Sequence, residues 1–304
     1  MIAGQRPLPE SPAPARAARA KWLDSMVMPS LTVLAIVIGY PIVYTIVLST
    51  QDYNLVATEP ARFVGSDNYR KLVADPTFWL ALRNTAYYTF GSVAVAATLG
   101  LTFALLAEGL VRWRGRLARV LLLTPWAVPF VVVAFLFRYM YLQNGGVINA
   151  LLVRVGVIDA PISWLNTSAF AMPAVMAANV WAMTPFFFLL LSAALAGIPT
   201  EVIESARVDR AGVADMIFRI KLPFLRSSLL IGSLLMIIAN CNDFAKIWAM
   251  TQGGPGYATT TLVVYVYRQA FENFAFGFAS AIGVVWLLLL LLFAMAYLRA
   301  LRLH

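Results

Sequence analysis

The sequence predicts an all-α membrane protein with six transmembrane helices, and two observations carry that prediction. First, long runs lack any charged residue: 27 positions between Asp24 and Asp52, 24 between Arg83 and Glu108, and 18 between Arg119 and Arg138. Further runs of 41, 16 and 26 lie between Asp159 and Glu201, Arg226 and Asp243, and Glu272 and Arg299. A helix needs about 20 apolar residues to cross the hydrocarbon core of a bilayer. Second, the 304 residues are 61% hydrophobic and only 12% charged, about half the ~25% of soluble domains. A chain of this length would suggest two soluble domains, but its apolar residues come in runs and not in periodic stripes.

Taken in order, residues 1–22 are rich in Pro, Ala and Arg, the composition of a disordered tail. The remainder, 23–304, reads as one six-span domain. The first run is too long for the h-region of a cleaved signal peptide and is read as the first span, near 24–50. The others fall near 80–108, 118–142, 169–197, 225–249 and 275–299. The 41-residue run holds one span only, because "APISWLNTSAFAMP" before it carries two prolines and is turn-rich. "VVYVYRQAF" at 263–271 is too short to span and reads as an extracytoplasmic or re-entrant piece.

The net charge of +9 does not point to nucleic acid, because the basic residues flank the apolar runs as membrane-anchoring residues do. With the N-terminus inside, 15 of the 23 basic residues fall on inner segments. The positive-inside rule then places both termini in the cytoplasm. Cys241 is the one cysteine and His304 the one histidine. That excludes a disulfide framework or a cysteine metal site and leaves little for histidine chemistry.

Residues 204–223, "ESARVDRAGVADMIFRIKLP", are the exception to the oily pattern. Pro199 breaks the fourth span, Thr200 is expected to cap a new helix, and Glu201 suits its first turn. Ala206 is a small side chain among charges. Gly212 allows a turn, after which Ile217, Ile220 and Phe224 recur at helical spacing while Arg219 and Lys221 suit the headgroup level. The unit is a helix–turn–helix on the cytoplasmic face. By physics alone, a solvated surface loop is the plainer reading of its mixed charges, ahead of a docking element.

The same segment resembles the EAA loop of ABC importer permeases, the element by which that family docks into its ATP-binding subunits. Glu204, Ser205 and Ala206 stand for E-A-A, Asp209 matches the family Asp, and Ile220, Leu222 and Pro223 match the closing I-x-L-P. Arg210 stands where the family nearly always has Gly, so Gly212 is expected to take over the turn. Further stretches are similar to the carbohydrate-type subfamily: "YPIVYTIVLSTQDYNL" (40–55), "RFVGSDNYRKLVADPTFWLALRNTAYYT" (62–89), "LLLTPWAVPFVVVAFLFRYMY" (121–141) and "TQGGPGYATTTLVVYVYRQAFENFAFGFASAIGVV" (251–285). They resemble maltose- and glycerol-phosphate-type permeases, MalF-like without a large outer domain, since 51–79 is too short for one.

The resemblance implies a type I importer permease fold with a cytoplasmic coupling helix within 200–223, in a bacterial cytoplasmic membrane. It implies as partners a second homologous permease, a dimer of ATP-binding subunits and an extracytoplasmic solute-binding protein. The chain is then no enzyme and binds no cofactor, ATP and Mg belonging to the ATPase; consistently, no G-x-x-x-x-G-K-[ST] occurs. The implied cargo is a sugar or sugar derivative, with a polyol or glycerophosphodiester as the alternative. Glu204 would then meet a basic residue of the ATPase groove, and Ala206 would permit close packing.

Polar residues within spans are costly in lipid and face a cavity or a partner. Asn240, Asp243 and Lys246 are read as one helical edge, with Phe244 and Trp248 near it as aromatic faces for a sugar. Mutual neutralisation of Asp243 and Lys246 is the plainer reading. Asn179, Trp181 and Thr184 in the fourth span, beside Pro185, are further cavity candidates, which core packing between helices explains about as well. Arg138 and Tyr139 in the third are candidates too, though snorkelling to the surface is the plainer reading of Arg138. Half of a secondary transporter, a membrane-embedded enzyme and a channel are the rivals. The sequence lacks the inverted repeat, the titratable cluster and the filter-like repeat that each would need.

Overall fold

The computed structural model describes residues 27–57, 60–108 and 112–302, so the expected disordered tail lies outside the described residues. Among them, five unbroken helices are long and apolar enough to cross a membrane, and one bent pair makes a sixth span. The first span, α1 (Val27–Ser49), is exposed over all of residues 27–38. Its second half packs against the last helix. A short antiparallel pair follows, β1 (Gln51–Asp52) with β2 (Arg62–Phe63), then α2 (Asp67–Ala74). The second span is α3 (Pro76–Glu108) and the fourth is α7 (Ser168–Ala196). They pack together most extensively of all the helices. Gly100 permits this approach: a Cβ there would stand 2.4 Å from Phe187 Cβ and 2.9 Å from the Phe188 backbone nitrogen, the small-residue contact typical of membrane helices.

The third span is not the single helix expected over 118–142. Helix α4 (Arg112–Leu123) passes through a 3-10 turn at Thr124–Ala127 and stops, and α5 (Phe130–Met140) leaves at 97°. Proline is the cause. Pro129 forces its predecessor out of the helical region, and Val128 is extended at φ −86°, ψ 127°.

The fifth span is also redrawn. The amphipathic piece and the span expected at 225–249 form one helix, α9 (Val213–Cys241), which ends at Cys241. Pro223 does not interrupt it, because widened π turns at Met216–Lys221 precede the proline and ease its clash with the turn before. The chain breaks at residues 242–244 and resumes as α10 (Ala245–Thr251). The stretch at 263–271 is helical, α11 (Leu262–Tyr267) running on into π turns at Arg268–Glu272. It is packed on α3 and on the sixth span, α12 (Phe276–Arg302). Two smaller helices complete the chain: α6 (Val147–Arg154), anchored by Asn149 to the Ile162 backbone, and α8 (Thr200–Val208).

The core lies around α7. Phe187, Phe188 and Leu191 pack with Leu225 and Ile237 of α9 on one level. Val175 and Ala178 pack with Tyr88 and Ile247 on another. α7 continues unbroken through Pro173 and Pro185. Most of α1, the second half of α12, and Phe170, Trp181 and Leu189 of α7 expose large apolar side chains, as a bilayer requires.

Candidate functional site

The two broken spans meet. The Lys246 ammonium, on α10, sits 4.2 Å from the centre of the Phe130 ring, the first residue of α5. Between them and α7 lies a cavity of about 390 Å³ lined by Trp126, Phe130, Asn179, Asn240, Asp243 and Lys246, among others. Helix breaks of this kind are tolerated at membrane depth only where protein or a water-filled space satisfies the freed backbone. Here the break does some of that itself, since Asp243 N–H donates to Asn240 O and Phe244 N–H to Asn242 O.

The charged pair is buried and closed. Lys246 Nζ lies 2.7 Å from Asp243 Oδ2, with side-chain exposures of 7% and 8%. The Tyr88 hydroxyl donates to the same carboxylate at 2.5 Å. Nothing in the sequence had singled out Tyr88; the signal that could have found it is that a carboxylate inside a span demands a second donor. The amides form a separate pair: Asn179 Nδ2 donates to Asn240 Oδ1 at 2.6 Å, and Asn240 Nδ2 donates to Met236 O. Asn179 Oδ1 is buried and has no hydrogen-bond partner. Asn240, Asp243 and Lys246 therefore share a cavity but not the single helical edge expected of them, because α9 ends between the first and second.

The remaining candidates divide. Phe244 lines the cavity and stacks on Trp248, with ring centroids 5.3 Å apart, while Tyr267 packs on both. Trp181 and Thr184 line a different, apolar cavity on another face of α7. Thr184 Oγ1 donates to Val180 O. Arg138 donates to the Ala249 carbonyl at 3.2 Å and Tyr139 is exposed, so neither lines the polar cavity. Above it, Asn84 Nδ2 donates to the carbonyls of Tyr257 and Thr260, holding the 252–261 loop onto α3. The Tyr265 hydroxyl donates to Asp75. Burial, and then that carboxylate, push the phenol well above its ordinary pKa.

At the opposite end, α8 begins at Thr200, but Pro199 and not Thr200 occupies the cap position. Glu204 and Ser205 are exposed and Ala206 is 6% exposed. The helix closes in a Schellman arrangement: Ala211 N–H donates to Ala206 O and Arg210 N–H to Arg207 O. Arg210 occupies the left-handed position, φ 54°, whereas Gly212 is extended at φ −67°, ψ 168°. Gly212 thus does not take over the turn; the left-handed conformation falls on Arg210, the position where the EAA pattern has Gly. Asp209 is the C-cap. Lys221 and Glu108 pair at 2.6 Å, tying this segment to the end of the second span.

These features define the membrane-spanning half of a transporter. The chain belongs to the family of binding-protein-dependent transport system inner membrane components, which it matches over residues 72–303. It is a transmembrane permease subunit of an ABC transporter. It is 35% identical over 275 residues to the trehalose/maltose transport system permease protein MalF of Thermococcus litoralis, covering 90% of this chain and 91% of the relative. To the sulfoquinovosyl glycerol permease SmoG of Agrobacterium fabrum it is 32% identical, covering 93% of each. Its fold matches a subunit of the bacterial alginate ABC transporter crystallised with an alginate pentasaccharide-bound periplasmic protein. That match has a TM-score of 0.80, 20% identity, and covers 93% of this chain and 94% of the other.

Proposed function

We propose that this subunit passes a sugar or sugar derivative inward through the cavity between the two broken spans, driven by ATP hydrolysed in partner subunits. The reading rests chiefly on relatives of nearly full length whose named cargoes are glycosides. The cavity chemistry agrees with it: amides at Asn179 and Asn240, one oxygen of which lacks a partner, beside aromatic faces at Trp126, Phe130 and Phe244. Planar amides pair with hydroxyls, and aromatic rings cover the apolar face of a sugar.

The subunit would work in a bacterial cytoplasmic membrane with a second, homologous permease, an ATPase dimer and an extracytoplasmic binding protein, both its own termini lying inside. It would have no catalytic activity, ATP and Mg being held by the ATPase. Glu204, Ser205 and Ala206 on α8 would dock into the ATPase, with Asp209, Arg210 and Gly212 shaping the exit. Closure of the ATPase dimer would displace α8, and the continuous helix α9 would carry the displacement to the cavity. The test is to purify the chain with its ATPase, reconstitute both with the binding protein, and measure uptake of labelled disaccharides and glycosyl glycerols. The binding protein's melting temperature, measured with each sugar, selects the cargo. Copurification without any sugar-dependent uptake would reject the cargo class while leaving the permease assignment intact.

A further inference from the structure

A groove on the side of α7 away from the polar cavity is built for a different ligand. Its shaft is an apolar cavity of about 620 Å³, lined by Leu99 and Phe103 of α3, Leu121 of α4, and Met176 and Trp181 of α7. Its mouth is a second cavity of about 540 Å³ beside Arg83, Asn84 and Ser168. Tyr87 and Pro173 line both, so the two form one channel-like groove that changes from polar to apolar along α3.

Position fixes what solvent this groove meets. Arg83 lies 25 residues from Glu108 on one continuous helix, about 37 Å at 1.5 Å per residue, which exceeds the ~30 Å hydrocarbon thickness. Arg83 therefore stands at headgroup level, with Tyr87 a turn below it, where amphipathic rings settle. The shaft from Tyr87 to Phe103 runs about 24 Å within the hydrocarbon. Arg83 is the one charged residue of the mouth, it is exposed, and no described carboxylate pairs with it.

We propose that the groove holds an anionic phospholipid, its phosphate on Arg83 and an acyl chain along α3 and α7. A sugar would leave its hydroxyls unpaired in the shaft, which costs free energy for each buried polar group. An extended peptide would do the same with its backbone. A molecule with negative charge at one end and a long apolar body satisfies both halves. This assignment does not depend on which solute is carried.

The test uses the purified transporter with its partner subunits in mild detergent, titrated with phosphatidylglycerol, phosphatidylcholine or inorganic phosphate, with melting temperature and co-extracted lipid as readouts. Phosphatidylglycerol should raise the melting temperature more than phosphatidylcholine, and inorganic phosphate should not. Arg83→Gln should abolish the preference between the two lipids. Ala177→Trp, at an exposed residue on the shaft wall, should cut retained lipid several-fold while the ATPase remains bound. Equal shifts by both lipids, an equal shift by free phosphate, or an unchanged preference in Arg83→Gln would overturn the proposal. So would efficient crosslinking of Ala177→Cys to the second permease, which would show protein in the groove.

Discussion

At the residue scale, the decisive pairings are those a linear reading cannot supply. Asp243 and Lys246 were legible as a pair because they are three residues apart, and their neutralisation is what the structure displays. Tyr88, which completes the carboxylate's coordination, lies 155 residues away, and no local pattern announces it. Breaking one member of a buried ion pair costs about 3–5 kcal/mol, because the other charge is stranded. Asp243→Asn should therefore sharply lower the yield of folded protein, and adding Lys246→Met should restore it. A single variant as stable as the parent, judged by detergent-solubilised yield and melting temperature, would show the pair is not holding the break. Arg210 gives a second prediction. A side chain in the left-handed region costs about 1–2 kcal/mol relative to Gly, so Arg210→Gly should raise the melting temperature and keep transport. A β-branched residue is worse there, so Arg210→Val should lower it. Identical melting behaviour of the two variants would contradict the observed φ.

At the scale of elements, run length located the spans and failed at their interruptions. The 18-residue run of the third span and the 16-residue run of the fifth were the shortest, and these are the two that break. Pro125 and Pro129 were visible signals for the first break. The second has no proline, and its cause is tertiary: α10 is held against α5 by Lys246 over Phe130. The EAA-like stretch was legible because its spacing is local, whereas its continuity with the fifth span was hidden behind Pro223, which normally ends a helix. Helix packing supplies a test. Gly100→Leu would force α3 away from the Phe187–Phe188 backbone, an overpacking cost of about 1–3 kcal/mol. It should reduce assembly with the partners, whereas Gly283→Leu, with nothing within 4 Å, should not. Equal assembly in both would mean that α3 and α7 do not meet as closely as described.

At the scale of the molecule, the fold was legible as six spans, yet its polar cavity arises where spans stop being spans. The exposed first half of α1, the broken third and fifth spans, and α8 at one end form a frame that has meaning in an assembly. Its orientation can be read directly. In whole cells Ser66→Cys should react with an impermeant thiol reagent and Ala211→Cys should not, the native Cys241 being buried. The reverse labelling would place α8 outside and end the docking proposal.

If solute crosses between the two broken spans, removing the amide pair together should stop it. Replacing both Asn179 and Asn240 by Leu leaves neither partner stranded, so the fold should survive, as unchanged assembly and basal ATP hydrolysis in proteoliposomes would show. Binding-protein-dependent uptake by this Asn179→Leu, Asn240→Leu variant should fall at least about tenfold, the loss of one to two hydrogen bonds to the solute. Uptake equal to the parent's, at the same rate of ATP hydrolysis, would contradict it.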